Sequence, residues 1–184
     1  MQGRATSTTL VRTWIPQRTL LTDIGLVIGF SLLTALMAKI AIPLPFTPVP
    51  ITGQTFAVLL TGALLGSRLG AATMLAYILE GSVGLPVFAR ATPASYGYLA
   101  GFVAAAFIVG WLAERGWSRD VLRSILAMIA GEAAIYVFGL VWLSRYVGWG
   151  QVLALGFFPF LIGDAIKLIA AALIVPAGWR IRER

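Results

Sequence analysis

Pro159-Phe160-Leu161-Ile162-Gly163-Asp164-Ala165-Ile166-Lys167 runs without a break into the apolar stretch Leu168 to Pro176. An acid and a base three residues apart share one face of a helix. Either charge would cost roughly 2.5–3.5 kcal/mol at the centre of a bilayer on insertion scales, and charges at such depth mark functional sites. The stretch therefore reads as a membrane helix that carries a polar site. With Pro159 as first helical residue, Asp164 lies about 7.5 Å and Lys167 about 12 Å into it.

The rest of the 184 residues agrees with a membrane setting. Apolar residues make up 59% and charged residues 11%, with a mean hydropathy of +0.91. A soluble domain needs about 25% charged residues to wet its surface, so an all-α integral membrane protein is expected. There is no Cys and no His. That excludes disulfides, thiolate or imidazole metal sites and a Ser-His-Asp triad. A phosphate-binding G-x-x-x-x-G-K-[ST] loop is also missing, so the chain has no such means of hydrolysing ATP. The expectation is a binding protein, with no catalytic residue, metal or cofactor. Its +7 charge suits membrane lipid and topology rather than nucleic acid.

Six apolar segments fall at Asp23–Ala41, Thr52–Gly66, Gly70–Gly84, Ser95–Trp111, Val121–Trp142 and Phe157–Pro176. Spanning takes roughly 17–25 residues. The short second and third segments, joined by the turn Gly66–Gly70, read either as short spans or as a re-entrant hairpin, and six helices are favoured. Six spans place both termini on one side, together with Arg4, Arg12, Arg18, Arg68, Arg115, Arg119, Arg123, Arg180, Arg182 and Arg184. These are ten of the fourteen basic residues. Basic residues concentrate in cytoplasmic loops, so both termini are expected in the cytoplasm of a multi-pass protein of the bacterial plasma membrane. The domain plan is a flexible tail (1–22, no cleavable signal evident), a six-helix membrane domain (23–178) and a basic tail (179–184).

The opposite side carries unusual loops. Ile42 to Pro50 has four prolines in nine residues, which makes a stiff segment without regular pairing. Being apolar, it is expected to pack down as a wall or lid. Gly84 to Pro93 and Arg145 to Phe158 repeat that character over the Asp164/Lys167 helix. The pair either neutralises itself as a structural ion pair or faces a ligand, and its position under three loops favours the ligand. Arg90 suits carboxylate recognition, or anchors a lipid headgroup. Gln54 and Thr52 offer hydrogen bonds beneath the proline loop, with helix capping by Thr52 as the other reading. Glu80 and Glu132 are further acids within apolar segments, and Glu132 needs a partner or a proton. Tyr96, Tyr98, Tyr136, Trp142 and Trp149 serve as interfacial belt or as stacking surface.

Small residues recur along two helices, at four-residue spacing on the first. Ser31 with Ala35 and Thr34 with Ala38 lie on the first helix, Gly101, Ala105 and Gly110 on the fourth. Such ridges permit close helix approach, either within the chain or to another membrane subunit.

Taken in order, Pro43-x-Pro45-Phe46-Thr47-Pro48-Val49-Pro50-Ile51-Thr52-x-Gln54-Thr55, Gly84-Leu85-Pro86-Val87-Phe88-Ala89, Gly97-Tyr98-Leu99-x-Gly101-Phe102 and Pro159-Phe160-x-x-Gly163-Asp164-x-x-Lys167 resemble the BioY family. These are biotin-specific S components of energy-coupling factor (ECF) transporters. The resemblance spans residues 23–176. It implies a six-helix S-component bundle with a biotin pocket near the extracytoplasmic face. It also implies a transmembrane coupling subunit and two cytoplasmic ATPase subunits as partners. Biotin is then cargo, captured for ATP-driven uptake, and not a cofactor. Asp164 is expected to accept a ureido N–H, with Lys167 and Arg90 compensating the carboxylate. Phe46, Phe88 and Tyr98 would enclose the apolar body, beside Gln54 and Thr52. Many S components dock through Ala-x-x-x-Ala on their first helix; Ser31, Thr34, Ala35 and Ala38 stand in for it here. A self-sufficient secondary transporter of biotin or another vitamin is the competing function.

Overall fold

The computed structural model describes residues 9–88 and 91–182. Its helices are α1 (Leu10–Trp14), α2 (Leu20–Lys39), α3 (Gln54–Leu65), α4 (Ser67–Ser82), α5 (Tyr96–Ala113), α6 (Val121–Val147), α7 (Val152–Gly156) and α8 (Leu161–Arg182). Four of them, α2, α5 with the turn before it, α6 and α8, are long and apolar enough to cross a membrane. The outward faces are rich in exposed Leu, Ile, Val and Phe, as lipid contact requires. Helix α5 lies at the centre, packed against α3, α4 and α6.

That central position rests on small residues. A Cβ on Gly62 of α3 would come within 2.6 Å of the Ala106 carbonyl on α5, and one on Gly101 within 2.8 Å of the Ile135 backbone on α6. The glycines and alanines expected to support close approach therefore do so inside the chain. The same holds for α2. Ser31, Thr34, Ala35 and Ala38 are all buried, and Ser31 Oγ donates to Glu80 Oε1 of α4 at 2.7 Å. This corrects the docking assignment, because the small face of α2 is already occupied by this chain's own helices.

Helix limits differ from the sequence reading wherever a cap outweighs hydropathy. Helix α2 starts at Leu20, not Asp23, because Thr19 and Thr22 form a reciprocal capping box. The expected turn Gly66–Gly70 shrinks to Gly66 alone. At φ +89° Gly66 adopts a left-handed backbone that other residues reach only with strain. Helix α4 begins at once with Ser67, whose N–H and hydroxyl both donate to Glu114 Oε1, at 2.8 and 3.0 Å. A carboxylate at a helix N-terminus satisfies an orphan donor and complements the dipole. Glu114→Ala is expected to destabilise the chain by about 1 kcal/mol, read as an earlier thermal unfolding midpoint in detergent, with Glu114→Gln falling between.

The two tails are also more structured than expected. Leu10 is buried against Trp179, Val175 and their neighbours, and α8 continues through Pro176 to Arg182. Proline deletes one backbone bond, but burial of Trp179 beyond it and a bond from Arg182 Nε to the Thr13 carbonyl hold the final turns. The proline loop is not wholly unpaired either. Ala41 and Ile42 (β1) pair antiparallel with Ile51 and Thr52 (β2), and Pro43 and Pro50 confine that ladder to its two-residue ends.

Candidate functional site

Helix α8 starts at Leu161, two residues later than expected, after a turn in which the Asp164 N–H reaches the Phe160 carbonyl. Asp164 is thus in the first helical turn and Lys167 in the second. The two side chains form an ion pair at 2.5 Å. The pair is not sealed off. It lines a cavity of about 60 Å³, with Val49 and Pro50 from the proline loop, Gln54 and Thr55 from α3, Tyr98 from α5 and Tyr136 from α6 among the other walls. Its walls combine apolar side chains with a few converging polar groups, the make-up of small-molecule sites.

Each polar group in the wall is held by a named partner. Tyr136 Oη donates to Asp164 Oδ2. Thr55 Oγ1 approaches Asp164 Oδ1 at 3.4 Å, and Lys167 Nζ donates to the Thr52 carbonyl at 2.8 Å. A carboxylate has about four acceptor positions and an ammonium three donors. After these contacts Asp164 retains about one acceptor position and Lys167 about one N–H. The pair therefore keeps capacity to accept one more hydrogen bond and to donate one, which suits a ligand edge that carries an N–H next to a carbonyl.

Gln54 is fixed by Thr52 Oγ1, which donates to its Oε1 at 2.8 Å, and by its own Nε2 donating to Tyr77 Oη at 2.7 Å. Thr52 serves both the pocket wall and the helix start, since its hydroxyl also accepts from the N–H of Gln54, the first residue of α3, at 3.4 Å. Tyr98 is fixed by donation to the Gly156 carbonyl at 2.8 Å. Its ring meets Tyr136 edge-on, and Tyr136 meets Phe157 in the same way.

The structure brings together five of the eight expected ligand residues: Asp164, Lys167, Gln54, Thr52 and Tyr98. Phe88 instead packs edge-on against Tyr77 and under Gly81, outside this pocket. Phe46 is 56% exposed at the loop tip. There Thr47, which donates to the Leu155 carbonyl, and the buried Val49 turn inward in its place. Arg90 lies outside the described residues. Sequence reasoning missed Thr55, although it directly follows Gln54 at the start of α3. It also left Tyr136 undecided between belt and pocket, although Tyr136 follows the intramembrane Glu132 by one turn.

Comparison with known proteins shows the family. The profile of the BioY family matches residues 6–184. The biotin transporter BioY of Rhizobium etli is 37% identical over 77% of this chain and 88% of its own length. The BioY of Thermotoga maritima is 38% identical over 79% of this chain and 88% of its own. In fold, the chain resembles the crystal structure of the S-component for biotin from an ECF-type ABC transporter. That match has a TM-score of 0.73 at 23% identity and covers 91% of this chain and 96% of that one. A family match over nearly the full length, together with four bilayer-length apolar helices, makes this chain a multi-pass membrane protein of the BioY family.

Proposed function

We propose that this chain captures biotin at the outer face of the plasma membrane, as the S component of an ECF-type ATP-driven transporter. The observation that carries the reading is the buried Asp164–Lys167 pair with one acceptor and one donor unspent at an open cavity. Biotin's ureido ring offers an N–H beside a carbonyl, so it fits that edge. Its apolar bicycle fits against Tyr98, Phe102, Ile135 and Phe160. Lys167 is already engaged by Asp164 and the Thr52 carbonyl, which favours the ureido end at the floor and the carboxylate nearer the mouth.

In this reading α2, α3, α4, α5, α6 and α8 are the six spans, α3 and α4 being short ones joined at Gly66. The membrane domain then begins at Leu20 and runs to Arg182. Both termini are cytoplasmic, at the end of the bundle away from the pocket. A coupling subunit and two ATPases supply the energy, because the chain has no nucleotide loop. A partner can drive release only by favouring a state with lower ligand affinity.

Calorimetric titration of biotin into the detergent-purified chain tests the binding step. Saturable 1:1 binding is expected, with thiamine and riboflavin failing to compete, and no heat of binding would refute the assignment. Uptake by vesicles that contain this chain alone, abolished by an uncoupler, would instead favour the self-sufficient transporter.

A further inference from the structure

Among the described residues, Glu132 is the one buried acid that the pocket chemistry above leaves unused. It is 6% exposed, and neither carboxyl oxygen has a hydrogen-bond partner among the described residues. An unpartnered buried carboxyl costs several kcal/mol whichever protonation state it adopts. A chain with no use for it would be more stable with an apolar residue there.

Its position suggests the use. Glu132 precedes Tyr136 by four residues on α6, so the two side chains lie one above the other on a single face. Tyr136 lines the pocket and donates to Asp164. The bonds Tyr136–Asp164 and Ser118–Trp179 show that α6 and α8 run antiparallel, so Glu132, one turn inward of Tyr136, stands at the level of Lys167, one turn inward of Asp164. Lys167 is the ammonium that joins these groups. Its four-carbon stem is flexible, and it currently rests on Asp164 and on the Thr52 carbonyl.

We propose that Glu132 is a positioning residue that offers the Lys167 ammonium a second seat, so that Lys167 swings between Asp164 and Glu132. With Lys167 on Asp164, the carboxylate is clamped and the acceptor–donor edge is assembled for the ligand. With Lys167 on Glu132, that edge is dismantled and the ligand loses the donor that faces it. Glu132 has no partner in the assembled state because its partner is then on loan to Asp164. The two seats give the bundle a low-affinity state without any rearrangement of the helices, and through it a ligand leaves.

The inference rests on biotin being the ligand, and the experiment separates the two claims. Biotin association and dissociation rates are measured on the purified full chain, for wild type, Glu132→Gln and Glu132→Asp. Glu132→Gln keeps the shape but offers no charge to the ammonium. It is expected to slow dissociation at least fivefold with association unchanged, while Glu132→Asp stays within twofold of wild type. A dissociation rate in Glu132→Gln equal to or faster than wild type overturns the second seat, as does an equal slowing in both variants. A purely structural Glu132 would move the melting temperature and neither rate. If wild type itself binds no biotin, the failure belongs to the ligand assignment.

Discussion

Asp164→Asn is expected to weaken biotin binding at least tenfold, a loss of about 1.4 kcal/mol, in calorimetric titrations of the purified chain. The carboxylate accepts from Lys167, Thr55 and Tyr136 at once. An amide of the same shape keeps one acceptor oxygen and turns an NH2 group toward at least one of those donors. Hydrogen bonds to a charged group contribute about 1.5–3 kcal/mol, so both the ligand contact and the clamp around it weaken. Lys167→Ala is expected to cost a similar factor, since it removes the ammonium that orients Asp164. Because the two residues touch, their effects should not add. The double variant is expected to bind no more than threefold worse than the poorer single one. Wild-type affinity in either single variant would remove the pair from the site.

The largest effect on stability is expected at Gly110, where Gly110→Ala should cost about 3 kcal/mol or prevent folding. A Cβ there would stand 2.3 Å from the Gly66 carbonyl carbon and 2.4 Å from the Ser67 nitrogen. Both are backbone atoms of the α3–α4 corner, so no side chain can move aside. The corner itself is pinned, because Gly66 is held at positive φ and Ser67 is bonded to Glu114 on the same end of α5. Gly25 on α2 is the matched comparison, with nothing within 4 Å of its virtual Cβ. Gly25→Ala should be neutral or stabilising by up to about 1 kcal/mol, the helix-propensity difference. Thermal unfolding of the three proteins in one detergent reads both outcomes, and equal melting temperatures would contradict the close-approach account.

Much of this chain could be read before any coordinates, and the misreadings have common causes. Asp164 and Lys167 were legible because charge in an apolar run is costly wherever the run ends up, so their significance needed no knowledge of neighbours. Gln54 and Thr52 were legible from their place just after a rigid loop. Phe46 and Phe88 were misassigned because a loop residue's direction is set by backbone torsions and by what it meets, not by its neighbours in sequence. Thr47 bonds to Leu155, more than a hundred residues away, and that contact helps leave Phe46 outside. The α2 ridge was misassigned for a related reason. A small-residue face signals close approach, but the identity of the approaching helix is not encoded in the spacing.

Composition and hydropathy alone determined that the chain is a helical membrane protein, where its six longer helices fall, with ends that differ by up to six residues, and that its last helix carries a polar site. These follow from solvation costs that act on each residue separately. Which helices touch, and hence that Tyr136 and Thr55 reach across to Asp164 while Ser31 and Ala38 are covered by their own chain, was decided only in three dimensions. Helices that are apolar on nearly every side carry little record of which face turns inward. Close packing between backbone and small side chains, rather than the hydrophobic effect, selects that face.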